Sequence, residues 1–245
     1  MTAVALLAAQ AAAWGRPLTA VQLAQFACYL ALLLEWNERL NLTAVRQPEA
    51  IQQRHFLDSL TCALVTGDLN GRVLIDVGTG AGFPGLPLKI LYPELQLTLV
   101  ESVAKKTDFL LVVAAELGFD DVVVLVERAE NLGQMGDHRE QYDWAVARAV
   151  AEMRVLAEYL LPLCRVGGHM LAQKGEAAAA ETAAASAAIR VLGGGAAALT
   201  PAPSVGQEKP HYLVVVPKIA PTPAVYPRRP GMPGKRPLMS GQGDI

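Results

Sequence analysis

Cysteine is scarce in this chain. Cys28, Cys62 and Cys164 are few, far apart and odd in number, which excludes a disulfide framework and points to a reducing compartment. Histidine is equally thin: His55, His138, His169 and His211 are scattered, and no pair has metal-ligand spacing, so no metal is expected. Charged residues reach only 18% against 52% hydrophobic, a balance that excludes a disordered or fibrous chain. No apolar run reads as a membrane signal. Residues 2–13 have no Lys or Arg before Arg16, and Gln10 interrupts them. The charge-free span 17–34 carries Thr19, Gln22 and Gln25 and ends at Glu35 rather than at a basic flank, so a buried soluble helix is expected there. The expectation is a cytoplasmic chain of 245 residues, long enough for a sizeable core.

A broadly basic surface is also missing. The formal net charge is −2, yet its distribution is uneven. Residues 1–65 balance at zero, residues 66–204 carry an excess of acid, and residues 205–245 set Lys209, Lys218, Arg228, Arg229, Lys235 and Arg236 against Glu208 and Asp244. An acidic body with a basic end suits local phosphate contact, not a general nucleic-acid grip.

What is present is a change of pattern at residue 72. Before it, residues 19–40 and 48–65 read as helices, the second opening at Pro48, with a polar break at 41–46. After it come short β-rich runs at 72–77, 95–100, 122–126, 144–147 and 169–173, with helical lengths such as 104–117 and 151–161 between most of them. A further strand is read at 211–217. Near-continuous apolar strands alternating with helices indicate βαβ units and a parallel sheet covered on both faces. The Ala-rich stretch 176–198 reads as a surface helix, and regular structure is not expected beyond Pro217. The fold expected is α/β, a doubly wound, mostly parallel, Rossmann-like sheet to which these six runs contribute. Three parts follow: a helical cap (1–65), a core (66–217) and a basic Pro/Gly-rich segment (218–245).

The most informative segment is Asp76-Val77-Gly78-Thr79-Gly80-Ala81-Gly82-Phe83-Pro84-Gly85, directly after the first strand. Gly78, Gly80 and Gly82 let the backbone turn and let a ligand approach it without Cβ obstruction. Glu101 ends the second strand, placed to accept hydrogen bonds from a ribose diol at the carboxyl edge of the sheet. A dinucleotide site wants G-x-G-x-x-G, whereas this loop is G-x-G-x-G preceded by an acid. An acid there suits a ligand carrying an ammonium and a sulfonium, and that ligand is S-adenosylmethionine. Arg128-Ala129-Glu130 follows the third strand, where an adenine contact and an exposed acidic loop are both open readings. Arg148 ends the fourth strand and is expected to face the ligand crevice.

These segments together resemble a known family, the bacterial 16S rRNA guanine-N7 methyltransferases, also called the glucose-inhibited division protein B family. The likeness runs from about Trp36 to Leu238. It rests on Arg54-His55-Phe56-Leu57-Asp58-Ser59-Leu60, the glycine loop, Val100-Glu101-Ser102-Val103, Arg128-Ala129-Glu130, Ala147-Arg148-Ala149 and Tyr226-Pro227-Arg228-Arg229-Pro230-Gly231. It implies a seven-stranded methyltransferase sheet and S-adenosylmethionine contacts at Gly78, Phe83, Glu101, Ser102, Val103, Ala129, Glu130 and Arg148. Beside it, Asn41, Arg54, His55 and Asp58, with Arg148, are the candidates for lining the target pocket, although His55 and Asp58 also read as helix residues satisfying their own turns. Lys105, Lys106, Lys174, Arg228, Arg229, Lys235 and Arg236 are the candidates for RNA phosphate contact. The partner implied is 16S rRNA, in the small ribosomal subunit or its assembly intermediate, with no membrane and a monomeric chain. Guanine N7 is already nucleophilic, which fits a sequence without an obvious catalytic nucleophile or acid–base pair. Three rivals share parts of the pattern: a small-molecule or protein methyltransferase, a nicotinamide-dependent oxidoreductase, and a noncatalytic ribosome-assembly binder.

Overall fold

The computed structural model describes residues 3–204, 206 and 209–238. Seven strands form one sheet in the order β3-β2-β1-β4-β5-β7-β6. They are β1 (Val73–Val77), β2 (Gln96–Glu101), β3 (Val123–Val126), β4 (Tyr142–Arg148), β5 (Cys164–Lys174), β6 (Ala198–Ala202) and β7 (His211–Pro217). The first five pair in parallel, and β7 runs antiparallel to both β5 and β6. Strand order reverses between β1 and β4, and the crevice beyond their carboxyl ends is where such sheets take ligands.

Side-chain alternation divides the apolar residues into two cores, one on each face. Leu74, Leu97, Leu99, Trp144, Val146, Leu171 and Leu213 point to one face. Their neighbours Ile75, Val77, Val100, Ala145, Ala147, Met170, Val214 and Val216 point to the other. The first face is covered by α1 (Ala5–Ala13), α2 (Ala20–Leu40), a helical run from α3 (Pro48–Ile51) to α4 (Asp58–Leu60), α5 (Ala63–Thr66), α6 (Gly85–Leu91) and α7 (Ala104–Glu116). The second is covered by α8 (Ala129–Leu132), α9 (Met153–Leu160), α10 (Ala178–Val191) and Leu238.

The long charge-free span resolves into α2, which opens with a capping box between Thr19 and Gln22 and ends on Asn41 in the left-handed conformation. Phe26, Tyr29, Leu30 and Leu33 form its buried stripe, at the spacing of one helix face. Among the described residues no helix is long and apolar enough to cross a membrane. Between α3 and α4 the helix widens into a π segment (Gln52–Leu57) that carries Arg54 and His55. Such segments frequently mark functional sites.

Two elements depart from the expectation. The sequence pattern gives no sign of β6, because its Ala-Leu-Thr-Pro-Ala has no apolar alternation, and Pro201 is tolerated there because β6 is an edge strand. Residues 218–238 are held against the body and include α11 (Met232–Lys235). The Ala-rich α10 is a packing device: Ala178, Thr182, Ala185, Ala188 and Ile189 form a buried face, and the small alanines let it lie close to α9.

Candidate cofactor and target site

The loop between β1 and α6 is fixed from below. Asp76 is fully buried, and its Oδ2 accepts from Thr79 Oγ1 at 2.7 Å and from the Gly85 amide at 2.8 Å. Its Oδ1 has no hydrogen-bond partner. Burial pushes the Asp76 carboxyl up to about 6, against the pull of those two hydrogen bonds and of the Arg148 charge. The Asp76 carboxylate therefore organises the loop from inside, where the sequence pattern suggests direct contact with a cationic ligand. Gly78 and Thr79 donate their amides to the Val100 carbonyl, tying the loop to β2.

The three glycines have different reasons. All have positive φ. A Cβ on Gly78 would sit 2.7 Å from Val150 Cγ2, and one on Gly82 would sit 2.4 Å from Leu86 Cδ1. A Cβ on Gly80 would meet nothing within 4 Å. Open space above backbone, at the switch point of the sheet, is where a ligand can approach closely.

Beyond this loop lies a cleft of about 150 Å³ between Gly78, Val100, Ser102, Ala129, Val150 and Tyr159. Glu101 closes β2 beside it, 6% exposed. Its Oε1 accepts from the Val103 amide at 3.0 Å, and its Oε2 lies 3.7 Å from Lys106 Nζ. The pairing gives Lys106 an internal task, in place of the free phosphate contact expected of it, whereas Lys105 is exposed. Glu130 is buried, and its carboxylate accepts from the Gly231 amide at 2.9 Å, so it supports a wall instead of standing free for a base edge. Glu127, which is not among the sequence candidates, also lines the cleft. Backbone donation from Arg128 holds its carboxyl below the usual range. Only its place after a strand could have signalled it.

A second cavity, about 360 Å³, opens beside the first and is lined by Arg54, His55, Asp58, Arg148, Gln173 and Lys174, among others. Arg148 organises it. One guanidinium nitrogen donates to Asp58 Oδ2 and to the Arg54 carbonyl, each at 3.1 Å, and the group lies 4.9 Å over the Phe83 ring. His55 stacks on the same ring, centroids 4.8 Å apart. Its Nδ1 lies 3.0 Å from the Arg54 carbonyl, which can only accept, so Nδ1 carries the proton; in the neutral imidazole Nε2 then accepts from the Thr43 hydroxyl at 2.7 Å. Burial, reinforced by the Arg148 charge, pushes its pKa down to about 4. Gln173 carries no sequence signal of its own. It sits opposite Arg148 in the β4–β5 register and donates to the Asp58 carbonyl at 2.8 Å.

Of the sequence candidates, Arg54, His55, Asp58, Arg148 and Phe83 come together here. Asn41 does not: it caps α2 and is exposed, while the buried Asn37 bridges the polar break through the backbone of Thr43. The Lys174 ammonium is engaged by Glu181 Oε2 at 2.7 Å and the Ala151 carbonyl at 2.8 Å, so the expected phosphate contact there is replaced by an internal one. Arg228 is likewise held internally, by Glu158, while Arg229, Lys235 and Arg236 are exposed. Cys62 and Cys164 line neither cavity, and burial pushes the Cys62 thiol up and the Cys164 thiol up to about 12.

Comparison with known proteins decides the family. Residues 22–208 match the family described as rRNA small subunit methyltransferase G. The chain belongs to this family. It is 54% identical over 229 residues to the ribosomal RNA small subunit methyltransferase G of Roseiflexus castenholzii, covering 94% of this chain and 97% of that protein. With the protein of the same description from Chloroflexus aggregans it shares 52% identity, over 95% and 97% of the two chains. Among solved structures, a mutant of the 16S rRNA (adenine(1408)-N(1))-methyltransferase from Catenulisporales acidiphilia superposes with a TM-score of 0.52. That likeness covers 63% of this chain and 88% of the other at 14% identity, and it bears on the fold alone. A geranyl diphosphate methyltransferase in complex with geranyl diphosphate and sinefungin gives a TM-score of 0.51 at 12% identity, over 66% and 77% of the chains. As a member of its family the chain is a small-subunit rRNA methyltransferase that uses S-adenosylmethionine.

Proposed function

We propose that this enzyme methylates N7 of a guanine in 16S rRNA, with the cofactor cleft and the polar cavity holding the two reactants. The observation that carries this is the meeting of the two cavities along one stretch of chain. Val150 lines the cofactor cleft, and its chain neighbours Ala149 and Arg148, the latter over the Phe83 ring, line the second cavity. The residues fit the cofactor: an uncluttered backbone at Gly80, a carboxylate at Glu101 for a diol, and apolar walls at Val100 and Val150 for a base. Gly78, Gly80 and Gly82 shape its loop, and Glu101, Ser102, Val103, Ala129 and Glu130 form its nucleoside side.

When bound, S-adenosylmethionine supplies an electrophilic methyl group on a sulfonium. The protein's own share is positioning. Guanine N7 has an exposed lone pair, so no base is needed to activate it. His55 is neutral with both ring nitrogens engaged, and the Asp58 carboxylate is tied to Arg148. Arg54 and Arg148 would hold the guanine in the second cavity. Exposed Lys105, Arg229, Lys235 and Arg236 would meet phosphates around it. The three parts of the chain then divide the work: residues 1–65 face the target base, 66–217 hold the cofactor, and 218–245 grip RNA.

The test is incubation with methyl-labelled S-adenosylmethionine and 30S particles or naked 16S rRNA, followed by mapping of the modified nucleotide. N7-methylguanosine at one position is the expected result. Label at an exocyclic amine, or on small molecules or protein instead of RNA, would overturn the proposal.

A further inference from the structure

The C-terminal segment is bolted to the back of the cofactor cleft. Glu158 on α9 is fully buried, and Arg228 grips it twice: Nε to Oε1 at 2.8 Å and Nη2 to Oε2 at 2.6 Å. The Arg228 amide adds a third hydrogen bond at 2.8 Å. Three residues later, the Gly231 amide donates to the Glu130 carboxylate. The residue after Glu158, Tyr159, lines the cleft together with Glu130, and its hydroxyl interacts with that same carboxylate. Further supports fix the approach: Gln134 donates to the Pro227 carbonyl at 2.8 Å, and Arg139 donates to the Tyr226 carbonyl at 2.7 Å. At Gly133 the packing leaves no room for a side chain, since a Cβ would lie 2.7 Å from Pro227.

We infer that residues 226–231 are the outer support of the cofactor pocket, with Arg228 as a positioning residue that sets Glu130 and Tyr159 through Glu158 and Gly231. The inference rests on the cofactor reading of the Glu101–Glu130 cleft. Glu158 is buried, and among the described residues Arg228 is the cation that pairs with it. Releasing Arg228 therefore leaves a buried charge without compensation and frees the segment. Once the Gly231 amide leaves, the Glu130 carboxylate loses a fixed donor and the wall it forms loses its position. Coupling of this kind is reciprocal: if docking of the segment shapes the pocket, filling the pocket must hold the segment down.

Two measurements test it together. In the wild-type chain, saturating S-adenosylmethionine should slow amide hydrogen exchange across residues 226–236 at least fivefold. Arg228→Ala should weaken cofactor affinity at least tenfold by calorimetry at a temperature where the variant is folded, with kcat at saturating cofactor within threefold of wild type. Arg228→Lys, which keeps the charge but not the fork, should restore part of the affinity. Unchanged exchange on cofactor addition, or Arg228→Ala affinity within twofold of wild type, overturns the inference. Should Arg228→Ala not fold, the wild-type exchange measurement decides alone. A wild-type chain that binds no S-adenosylmethionine fails at the first step, and that outcome strikes the cofactor reading itself.

Discussion

Gly78 and Gly80 share a left-handed backbone, at φ of 69° and 61°, yet substitution should damage them differently. At Gly80 a side chain projects into open space on the glycine loop, where the proposed ligand approaches, so Gly80→Val should abolish S-adenosylmethionine binding through occlusion while the strained φ costs about 1–2 kcal/mol. At Gly78 the same change collides with Val150, a protein contact, so Gly78→Val should lower thermal stability further as well as affinity. Calorimetry and thermal melts on both variants check this, and equal loss of stability in the two would contradict it. His55 offers a second test at this scale. Its folded pKa is about 4 against about 6.5 when unfolded, so the unfolded chain takes up a proton first as pH falls. The contribution of His55 to stability is full above pH 6.5 and declines as pH drops towards 4. Resonance titration of the imidazole should give a midpoint near 4; a midpoint above 6 would mean that the stack on Phe83 and the Thr43 bond do not hold the neutral ring. The types of these site residues were legible in the sequence, because Gly, Glu and Arg stand at the ends of readable strands. Their partners were not. Whether Glu130 faces an adenine or a backbone amide 101 residues away depends on a long-range contact that no local spacing encodes.

At the scale of elements, α2 is the hinge between the helical cap and the glycine loop. Tyr29 sits in its buried stripe, packs on Phe56 and Phe83, and donates its hydroxyl to the Ala81 carbonyl. Tyr29→Phe keeps the rings and removes the donor, leaving the Ala81 carbonyl unpaired in the core. Stability to urea should fall by about 1–3 kcal/mol, with a smaller loss of cofactor affinity. No change in either would show that the hydroxyl bond is not made in solution. The parallel strands β1 to β5 and the helices α7 and α9 were readable because buried strands are apolar throughout and helices repeat their apolar face, whereas the short α8 read as a loop. β6 was not, since an edge strand needs no such face. The widening of the helix at Gln52–Leu57 was equally hidden: its residues carry ordinary helical periodicity, and the contacts of His55 with Phe83 and of the Arg54 carbonyl with Arg148 are long-range.

For the molecule as a whole, the uneven charge acquires a shape. The acidic middle of the chain builds the sheet, and the basic end is brought back onto it by Glu158 and Glu130. Composition alone makes residues 218–245 a proline-stiffened tail or an RNA-binding tail. The structure splits them: Arg228 is an anchor, and Arg229, Lys235 and Arg236 are exposed on the segment it anchors. Replacing these three with Ala should leave folding intact, because neither the Arg228–Glu158 pair nor the Gly231–Glu130 bond is touched. Cofactor affinity should stay within twofold for the same reason. The Michaelis constant for the rRNA substrate should rise, and its dependence on salt should flatten. Each phosphate left without its cation removes close to one unit from the slope of log affinity against log salt, so about two to three units are expected for three cations. Measurement of RNA affinity and initial rates across a salt series separates the cases. An unchanged slope with normal rates would place the RNA on another face, leaving Arg54 at the second cavity and the exposed Lys105 to be tested in the same way.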